Sequence, residues 1–514
     1  MDNPLTGKLK FLYALIVLTG WVASDLASQE VVTLKAGDGL QAAIDAAEAG
    51  TVIELAEGLY AERIFIDKPI AIRGTGENPS TIRPNELPAP QGLELIEQHQ
   101  AKLKAAANED ERFKHEIDFR RSSSPPVVFV VRAQGVLLEN LRISTPPAES
   151  DIVNTQAIVE VIEANVTMDR CQVVGPWANG IFAAGKSVLT VKDSFVAAVW
   201  GTGIAIFGTR DGEPGKTVIS GTEVRNCHRR GIGATKGTYV TIENCRISGS
   251  GGHGIRYDDT SPTIVGNVIS GNADSGIYAN GVTEAKIEGN VFWKNGNNGI
   301  SCWYMNKDQI VRNTFAENGN EAIAVLGAGS PSIMSNVFAS HPTAVVLSLI
   351  NNSTRVGAMD YGEPKIEGNF YWKNEFVRTK ASKEAGQTKE QFPAGKGEVS
   401  GKDPLFADPG SGDFSMKEGS PALASGAGAK EAIPAASPVA LQSEELLIIP
   451  DGDTRAADAW KRPASQEDAQ LLGSIRGAVM QWRNGVSRIK NKERRLLEIE
   501  EMRKMVEKLA AENQ

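Results

Sequence analysis

The chain has 514 residues, of which 41% are hydrophobic and 6% aromatic, and its formal net charge is −9 at pH 7. The negative charge argues against nucleic acid as the main partner, because phosphate binding needs a basic surface. The 52 glycines indicate many regularly spaced tight turns, since glycine adopts a positive φ without steric cost. The length fits several ordinary domains or one elongated repeat domain with appendages.

The first segment, residues 1–28, has the order of a secretory signal peptide. Lys8 and Lys10 precede an apolar run over residues 11–23, and small residues follow that run. The run is short for a helix that spans a bilayer, which needs about 20 residues. It predicts a secreted, periplasmic or cell-envelope protein, with an uncleaved N-terminal anchor as the alternative.

A charged segment follows at residues 85–125. It is rich in helix formers and is bounded by prolines, which predicts a helical insertion that projects from an early coil. We expect the insertion to cover a side or an end of the repeat domain. A lid over a binding face is the alternative.

A repeat of about 23 residues then runs through residues 126–425. Each unit contains short apolar-alternating strands separated by Asn/Gly turns and shows no helical periodicity. One unit cannot bury its inner face alone, whereas stacked coils about 4.8 Å apart complete each other's backbone ladders. The repeat therefore predicts a solenoid. One column of inward asparagines supports it: Asn267, Asn290, Asn313, Asn336 and Asn369.

Four cysteines in an exported protein suggest disulfides, but the repeat argues against them. Cys171 and Cys245 share the inward column at a separation of several coils, which is too far for a bridge. Cys227 and Cys302 have no obvious partners. We predict four buried, inert thiols.

The C-terminal region has two parts. Residues 426–468 are rich in Ala, Pro, Ser and Gly, which suits a linker or an irregular cap. Residues 469–514 form a predicted amphipathic helix with near-heptad apolar spacing. An oligomerising coiled coil that would make a homo-oligomer and a helix docked on the solenoid both fit this pattern.

The chain resembles bacterial parallel β-helix repeat proteins of the pectin-lyase-like superfamily. Residues 39–76 resemble the N-terminal cap and first coils of those proteins, and residues 403–423 resemble their closing segment. The resemblance covers roughly residues 30–430. It implies an all-β fold, a single-stranded right-handed parallel β-helix, to which the residues themselves add the predicted helical insertion and the predicted C-terminal α-helix. It also implies that residues 29–84 form the cap and the first coils.

Outward positions on successive coils form a continuous strip, so a site would be a cluster across coils. Basic and aromatic residues share one part of this strip, residues 225–303. Guanidinium groups bind carboxylates, and aromatic faces stack on sugar rings. The strip therefore predicts binding of an acidic polysaccharide. The predicted substrate-binding residues are Arg229, Asn280, Asn298, Ser301, Trp303 and Glu321.

Lyase chemistry on a uronate polymer needs a group that neutralises the carboxylate, a base for the C5 proton and an acid for the leaving oxygen. Arg256, Arg230 or Lys236 could serve as neutraliser or base. Tyr278 or His253 could serve as the acid. Ordinary surface ion pairs are the structural alternative for each of these residues.

Three carboxylates near this face, Asp258, Asp259 and Asp274, could hold a Ca²⁺ that bridges to the substrate, because Ca²⁺ prefers oxygen ligands. The pair Asp258 and Asp259 also fits ordinary turn chemistry.

Two functions are therefore predicted. The leading one is a secreted carbohydrate-active protein, a polysaccharide lyase if it is an enzyme. The alternative is a non-catalytic glycan-binding or scaffold protein of the cell envelope, assembled through its C-terminal helix. Glycoside hydrolysis is less favoured. The sequence Gly252-His253-Gly254 resembles a polygalacturonase motif, but the aspartate pair follows the histidine on the same coil instead of preceding it.

Overall fold

The computed structural model divides the chain into two compact units, residues 1–450 and residues 451–514. All of the residues that it describes belong to the first unit. They are residues 30–86, 93–123, 126–146, 157–175, 179–208, 213–349, 360–380, 390–391, 393 and 395–429. The predicted signal peptide, most of the predicted linker and the predicted C-terminal helix lie outside them. No helix in the described part of the chain combines the length and apolarity that crossing a membrane requires.

Three 13-stranded sheets, here called A, B and C, run along the described solenoid. Sheet A contains Val31–Leu34, Val52–Leu55, Ala71–Gly74, Gln134–Glu139, Asn165–Asp169, Val188–Lys192, Gly215–Ser220, Thr238–Glu243, Thr263–Val265, Lys286–Glu288, Gln309–Val311, Ser332–Met334 and Lys365–Glu367. Sheet B contains Leu59–Tyr60, Ser80–Ile82, Leu141–Ser144, Gln172–Val174, Phe195–Ala197, Glu223–Arg225, Arg246–Ser248, Val268–Ser270, Val291–Trp293, Thr314–Ala316, Val337–Ala339, Phe370–Trp372 and Val399–Ser400. Sheet C contains Ile64–Ile66, Val128–Val131, Val159–Ile162, Ile181–Ala184, Thr202–Phe207, Arg230–Thr235, Ile255–Asp258, Ile277–Asn280, Ile300–Trp303, Glu321–Leu326, Thr343–Ser348, Phe376–Lys380 and Glu390–Gln391.

Each coil contributes one strand to each sheet, and each strand pairs in parallel with the equivalent strand of the next coil. The exception among the described strands is Glu390–Gln391, which pairs antiparallel with Phe376–Lys380 at the end of sheet C. The predicted parallel β-helix is confirmed. It arises because a strand that alternates apolar and polar residues buries one face only when another coil stacks on it.

The core lies inside the coil and consists of columns of equivalent residues. One column of buried isoleucines, one per coil, supports sheet C: Ile232, Ile255, Ile277, Ile300 and Ile323. Aromatic rings stack in a second column, with centroid separations of 4.7 Å, 5.2 Å and 5.3 Å: Phe292, Phe315, Phe338 and Tyr371. Equivalent apolar neighbours one coil apart favour a single register in these ladders, because a slip of one residue would turn them outward.

The predicted asparagine column lies at the bend between sheets A and B. The Asn313 Oδ1 accepts hydrogen bonds from the backbone N–H (2.9 Å) and Nδ2 (3.0 Å) of Asn290. The Asn313 Nδ2 donates to the Ile287 carbonyl at 2.9 Å and to the Asn336 Oδ1 at 3.1 Å. These side chains satisfy buried backbone groups at the bend, where no strand pairing is available.

A second polar column, which the sequence analysis did not identify, lies at the bend between sheets B and C. Its members are Asn272, Asn295, Asn318, His341 and Asn374, and each side chain bonds to its neighbour or to a backbone group of that bend. The first three asparagines of this column are 23 residues apart in the sequence, and this spacing could have predicted it.

All four cysteines are buried and unpaired, as predicted. Burial is the main reason that the thiol pKa values rise, to about 12 for Cys171, Cys227 and Cys245. The pKa of the Cys302 thiol is also raised, first by burial and then by the charge of Asp308. Thiols of this kind are inert near neutral pH, because the thiolate is the reactive form.

Helices lie at three places on the solenoid. Helix α1 (Leu40–Ala46) buries Leu40 and Ile44 in the main core. The insertion consists of α2 (Leu93–Ala105) and α3 (Glu109–Ser123). A hairpin of Phe406–Asp408 and Asp413–Met416, with a 3₁₀ turn at Pro409–Ser411, packs Phe406 and Phe414 on the outer face of sheet B, and α4 (Pro421–Ser425) follows it.

We predict that Asn313→Ala destabilises the protein by about 2–4 kcal/mol, because it leaves buried backbone and side-chain groups of Asn290 and the Ile287 carbonyl without partners. Chemical denaturation measures this loss. The control is Asn320→Ala, an exposed asparagine one bend away, for which we expect less than about 0.5 kcal/mol. Equal losses in the two variants would contradict a structural role for the column.

We predict that His341→Asn makes the protein less sensitive to acid. Burial lowers the pKa of His341 to about 3, below the value of about 6.5 in an unfolded chain. As the pH falls below 6.5, this histidine therefore becomes protonated in the unfolded state while it is still neutral in the folded state. This histidine costs stability from pH 6.5 down towards pH 3, by up to about 1.4 kcal/mol per pH unit.

An asparagine already fills the equivalent position in the neighbouring coils, so the variant should keep the column. Urea denaturation at pH 7 and at pH 4.5 measures the effect. An unchanged difference in unfolding free energy between these two pH values would contradict the prediction.

Candidate active site on sheet C

The strip predicted from the sequence lies on the outer face of sheet C. One outward column contains Gly233, Arg256, Tyr278 and Ser301, and the next contains Thr235, Asp258, Asn280 and Trp303. Members of one column lie one coil apart, about 4.8 Å. Residues far apart in sequence thus form one surface along the stacking direction.

Arg256 and Asp258 form the central ion pair of the strip. The Nε and Nη2 atoms of Arg256 donate to the two carboxylate oxygens of Asp258 at 2.8 Å and 2.9 Å, and Asn280 donates to the same carboxylate. Burial opposes ionisation of both partners, but these hydrogen bonds outweigh it. They lower the pKa of Asp258 and raise that of Arg256. The pair is therefore ionised at neutral pH.

Arg230 provides a second guanidinium beside Arg256. Burial, followed by the charges of Arg256 and Arg229, lowers the pKa of Arg230 to about 10, so it is still protonated at pH 7. Gly233 is the residue equivalent to Arg256 on the preceding coil. The Arg230 Nη1 lies 3.9 Å from the point that a Cβ on Gly233 would occupy. Among the described residues, Arg230 forms no ion pair and no side-chain hydrogen bond. Its charge is available to an anion.

Aromatic rings form a row beside these cations. The rings of His253 and Tyr278 stack at 4.6 Å, and those of Tyr278 and Trp303 lie 5.7 Å apart. The Arg256 guanidinium lies 5.0 Å from the centre of the Tyr278 ring. Tyr304, which the sequence analysis did not single out, extends the row with a centroid separation of 6.0 Å from Trp303. The row spans three successive coils.

His253 and Tyr278 are both uncharged at neutral pH. Burial is the largest cause of the lowered pKa of His253, about 4, and nearby Arg256 and Arg230 lower it further. The Asp274 carboxylate, 3.6 Å from the His253 Nδ1, raises the pKa only in part. Burial also raises the pKa of Tyr278 to about 12. A neutral imidazole can accept a proton and a protonated phenol can donate one.

Three predicted ligands of the substrate are buried and bond to other protein groups. The Asn298 Nδ2 donates to the Ser301 Oγ at 2.9 Å, and the Ser301 Oγ lies 2.9 Å from that of Ser275. The Asn298 Oδ1 accepts the backbone N–H of Glu321, and Asn280 donates to Asp258. These hydrogen bonds hold the three side chains in place on the strip. Their binding to a substrate stays a prediction.

Three predicted residues lie at the margins of the strip. Arg229 is exposed in the turn before the strand Arg230–Thr235, and Lys236 is exposed in the turn after it. Glu321 is half-buried at the start of its strand on sheet C.

The three predicted Ca²⁺ ligands, Asp258, Asp259 and Asp274, each bond to other protein groups. Both oxygens of Asp258 bond to Arg256, the Asp259 Oδ1 accepts the backbone N–H of Val282, and the Asp274 Oδ1 accepts that of Ser275. The described residues contain no group of three His, Cys, Asp or Glu side chains that could hold a metal ion. Ca²⁺ binding by these carboxylates stays a prediction.

The family model described as a right handed beta helix region matches residues 157–311, which include the whole aromatic and cationic strip. No curated protein matches the chain. The described solenoid is thus a right-handed parallel β-helix.

Several solved structures share this fold. A variant of the PL6 family alginate lyase AlyGC is 12% identical with a TM-score of 0.52, over 79% of this chain and 57% of that chain. The Dettilon tailspike protein gives 13% identity and a TM-score of 0.46 over 69% of each chain. The periplasmic alginate epimerase AlgG is 10% identical with a TM-score of 0.41, over 68% of this chain and 84% of that chain. At such identities the likeness extends to the fold alone.

We predict that His253 titrates with a midpoint near pH 4 in the folded protein. Removing the Asp274 charge with Asp274→Asn should lower that midpoint further, because this carboxylate favours the imidazolium. Removing a positive charge with Arg256→Met should raise the midpoint. NMR titration of the five histidines measures all three values, with His253→Gln to assign the resonance. A midpoint near 6.5, unchanged by either substitution, would show that the ring is not in the described environment.

Proposed function

We propose that this protein is a carbohydrate-active β-helix protein that acts on an acidic polysaccharide, and that it cleaves uronate chains by β-elimination. The observation that carries the proposal is the Arg230 guanidinium, which forms no ion pair or side-chain hydrogen bond among the described residues and adds its positive charge to those of Arg256 and Arg229, although the Asp258 carboxylate also acts on it. A row of aromatic rings begins at His253, whose pKa the charge of Arg230 lowers. Such a guanidinium suits a substrate carboxylate, and the rings suit sugar faces.

Each step of the elimination has a candidate group. Arg230 neutralises the uronate carboxylate, which makes the C5 proton more acidic. His253, neutral at pH 7, accepts that proton as the C5–H bond breaks and the C4=C5 double bond forms. The phenol of Tyr278 donates its proton to the glycosidic oxygen as the C4–O bond breaks. Arg256 is held by Asp258 and positions the Tyr278 ring.

We extend the proposal to location and assembly. The signal-like N-terminal segment supports export to the periplasm, the cell envelope or the exterior. The near-heptad spacing of the C-terminal segment supports a homo-oligomer. A binding or scaffold protein is the alternative function, and the crowded hydrogen bonding of Asn298 and Ser301 favours it, because those groups have few bonds left for a substrate.

We predict that the protein produces ultraviolet-absorbing unsaturated ends from pectate, alginate or another polyuronate. A panel of these polymers, each with and without Ca²⁺, tests this directly. Arg230→Met should lower kcat/KM by about 10²–10³-fold, because it removes charge stabilisation in the transition state. Arg256→Ala should also lower kcat/KM, because it removes the group that positions the Tyr278 ring. Tyr278→Phe should lower kcat with little change in KM, since it removes the acid but not the ring.

The matched control is Lys216→Met, which removes an exposed cation from sheet A and should change kcat/KM by less than twofold. Binding to a polyuronate without any unsaturated product would reject the lyase and support the binding protein. Equal activity in Arg230→Met and the wild type would reject the assigned role of Arg230.

A further inference from the structure

Two aromatic rings at the centre of the strip belong to the proposed base and the proposed acid. His253 lies in the turn before the strand Ile255–Asp258, and Tyr278 lies in the equivalent strand of the next coil, Ile277–Asn280. Their rings stack with centroids 4.6 Å apart and planes inclined by 26°. Rings at this separation are in van der Waals contact, since carbon atoms in contact lie about 3.5–4.0 Å apart. The stack leaves no space between the two rings.

Other side chains hold the Tyr278 ring in the stack. The Trp303 ring, from the following coil, lies 5.7 Å from it, and the Arg256 guanidinium lies 5.0 Å from its centre. Asp258 fixes Arg256 in turn through two hydrogen bonds of 2.8 Å and 2.9 Å. A movement of Tyr278 away from His253 would bring it against Trp303, so the stacked arrangement is a fixed feature of the strip.

The surroundings of the imidazole decide which of its nitrogens a substrate can reach. The His253 Nδ1 is fully buried and lies 3.6 Å from the Asp274 carboxylate. Asp274 is held by hydrogen bonds from the Ser275 backbone N–H at 2.8 Å and from the Asn297 Nδ2 at 3.0 Å. The His253 side chain as a whole keeps 14% of its surface exposed. Nε2 is therefore the nitrogen that is available to accept a proton.

The Tyr278 hydroxyl is available on the same surface. Tyr278 projects from the outer face of sheet C and is half-buried, and its hydroxyl forms no hydrogen bond to another described residue. A sugar ring that lay between base and acid would need ring planes about 7–8 Å apart, which is twice a van der Waals contact. The contact between His253 and Tyr278 excludes that arrangement. Both groups must approach a bound sugar from the same side.

The side of approach decides which uronates can react. In β-elimination the C5 proton passes to the base, the electrons of the C5–H bond form the C4=C5 double bond, and the C4–O bond breaks as the leaving oxygen takes a proton from the acid. A base and an acid on one side suit a sugar whose C5 hydrogen and C4 oxygen lie on one face of the ring. Mannuronate and glucuronate have this configuration, whereas guluronate and galacturonate carry the two groups on opposite faces.

We propose that the substrate of this protein is a polyuronate whose C5 hydrogen and C4 oxygen lie on the same face of the sugar ring, as in polymers of mannuronate or glucuronate linked through O4. The reaction is then a syn elimination, in which the His253 Nε2 takes the C5 proton and the Tyr278 hydroxyl protonates the leaving oxygen. Proton exchange with water afterwards restores the neutral imidazole and the phenol. This inference rests on the proposed function, because it takes His253 as the base and Tyr278 as the acid.

Two matched pairs of polymers test the stereochemistry. Mannuronate and guluronate are epimers at C5, and glucuronate and galacturonate are epimers at C4, so each pair reverses the relation of the reacting bonds at one centre. The full chain is incubated with the four homopolymers, all linked through O4, and the unsaturated product is followed by its ultraviolet absorbance. In every pair that yields product, we expect kcat/KM to be at least about 10²-fold higher for polymannuronate or polyglucuronate than for its epimer, because in the epimer one reacting bond faces away from its catalytic group.

The outcomes distinguish this inference from the proposed function. Equal rates within a reacting pair, or faster cleavage of polyguluronate or polygalacturonate, would overturn the syn elimination and leave the proposed lyase intact. Absence of unsaturated product from all four polymers would instead overturn the proposed function, and the inference with it.

A histidine substitution tests the base on the polymer that reacts fastest. His253→Gln should lower kcat by about 10²–10⁴-fold with little change in KM, because it removes the proton acceptor. The matched control is His228→Gln, which replaces an exposed histidine whose ring contacts Trp200 at 4.4 Å and should leave kcat unchanged. Melting temperatures show that both variants are folded. A folded His253→Gln protein with wild-type kcat would overturn the assignment of the base and the one-sided mechanism built on it.

Discussion

The backbone register between successive coils is the constraint on which the rest of the molecule depends. Parallel ladders place Ile277 directly between Ile255 and Ile300, so one small set of side chains repeats inside the coil. A slip of one residue would turn every inward isoleucine outward. The asparagine columns at the bends reinforce the same register, since the amide oxygen of each asparagine accepts the backbone N–H of the equivalent asparagine one coil before it. Register therefore fixes both the core and the outer columns.

The chemistry of the strip follows from crowding on that fixed surface. Outward side chains only one coil apart shield one another from water, so burial dominates the pKa values of His253, Arg230 and Tyr278. Burial also raises the pKa of Asp258, but the hydrogen bonds that Arg256 and Asn280 donate to its carboxylate outweigh burial and lower the pKa. The result is a face with one ion pair, one further cation that forms no ion pair among the described residues, and two neutral groups that can exchange protons.

The insertion gives this face a direction. A regular solenoid offers the same surface at both ends of a strip. Helix α3 removes that equivalence, since Phe113 and Ile117 occupy the outer face of the early coils and Arg120 pairs with the buried Glu160. A non-repeating segment thus distinguishes one end of a repeating surface from the other.

The repeat by itself determined the solenoid, the inward asparagine column and the burial of the four thiols, because spacing along the chain becomes spacing across coils when the period is constant. It also determined which outward residues share a column. Only the tertiary structure decided that Arg256 forms an ion pair with Asp258 while Arg230 forms none among the described residues. It also decided that Asn298 and Ser301 bond to each other, and that the insertion packs on the outer face of sheet C, which carries the strip. Those outcomes depend on side-chain rotamers and on the path of a segment without the repeat, and no periodicity in the sequence encodes either of them.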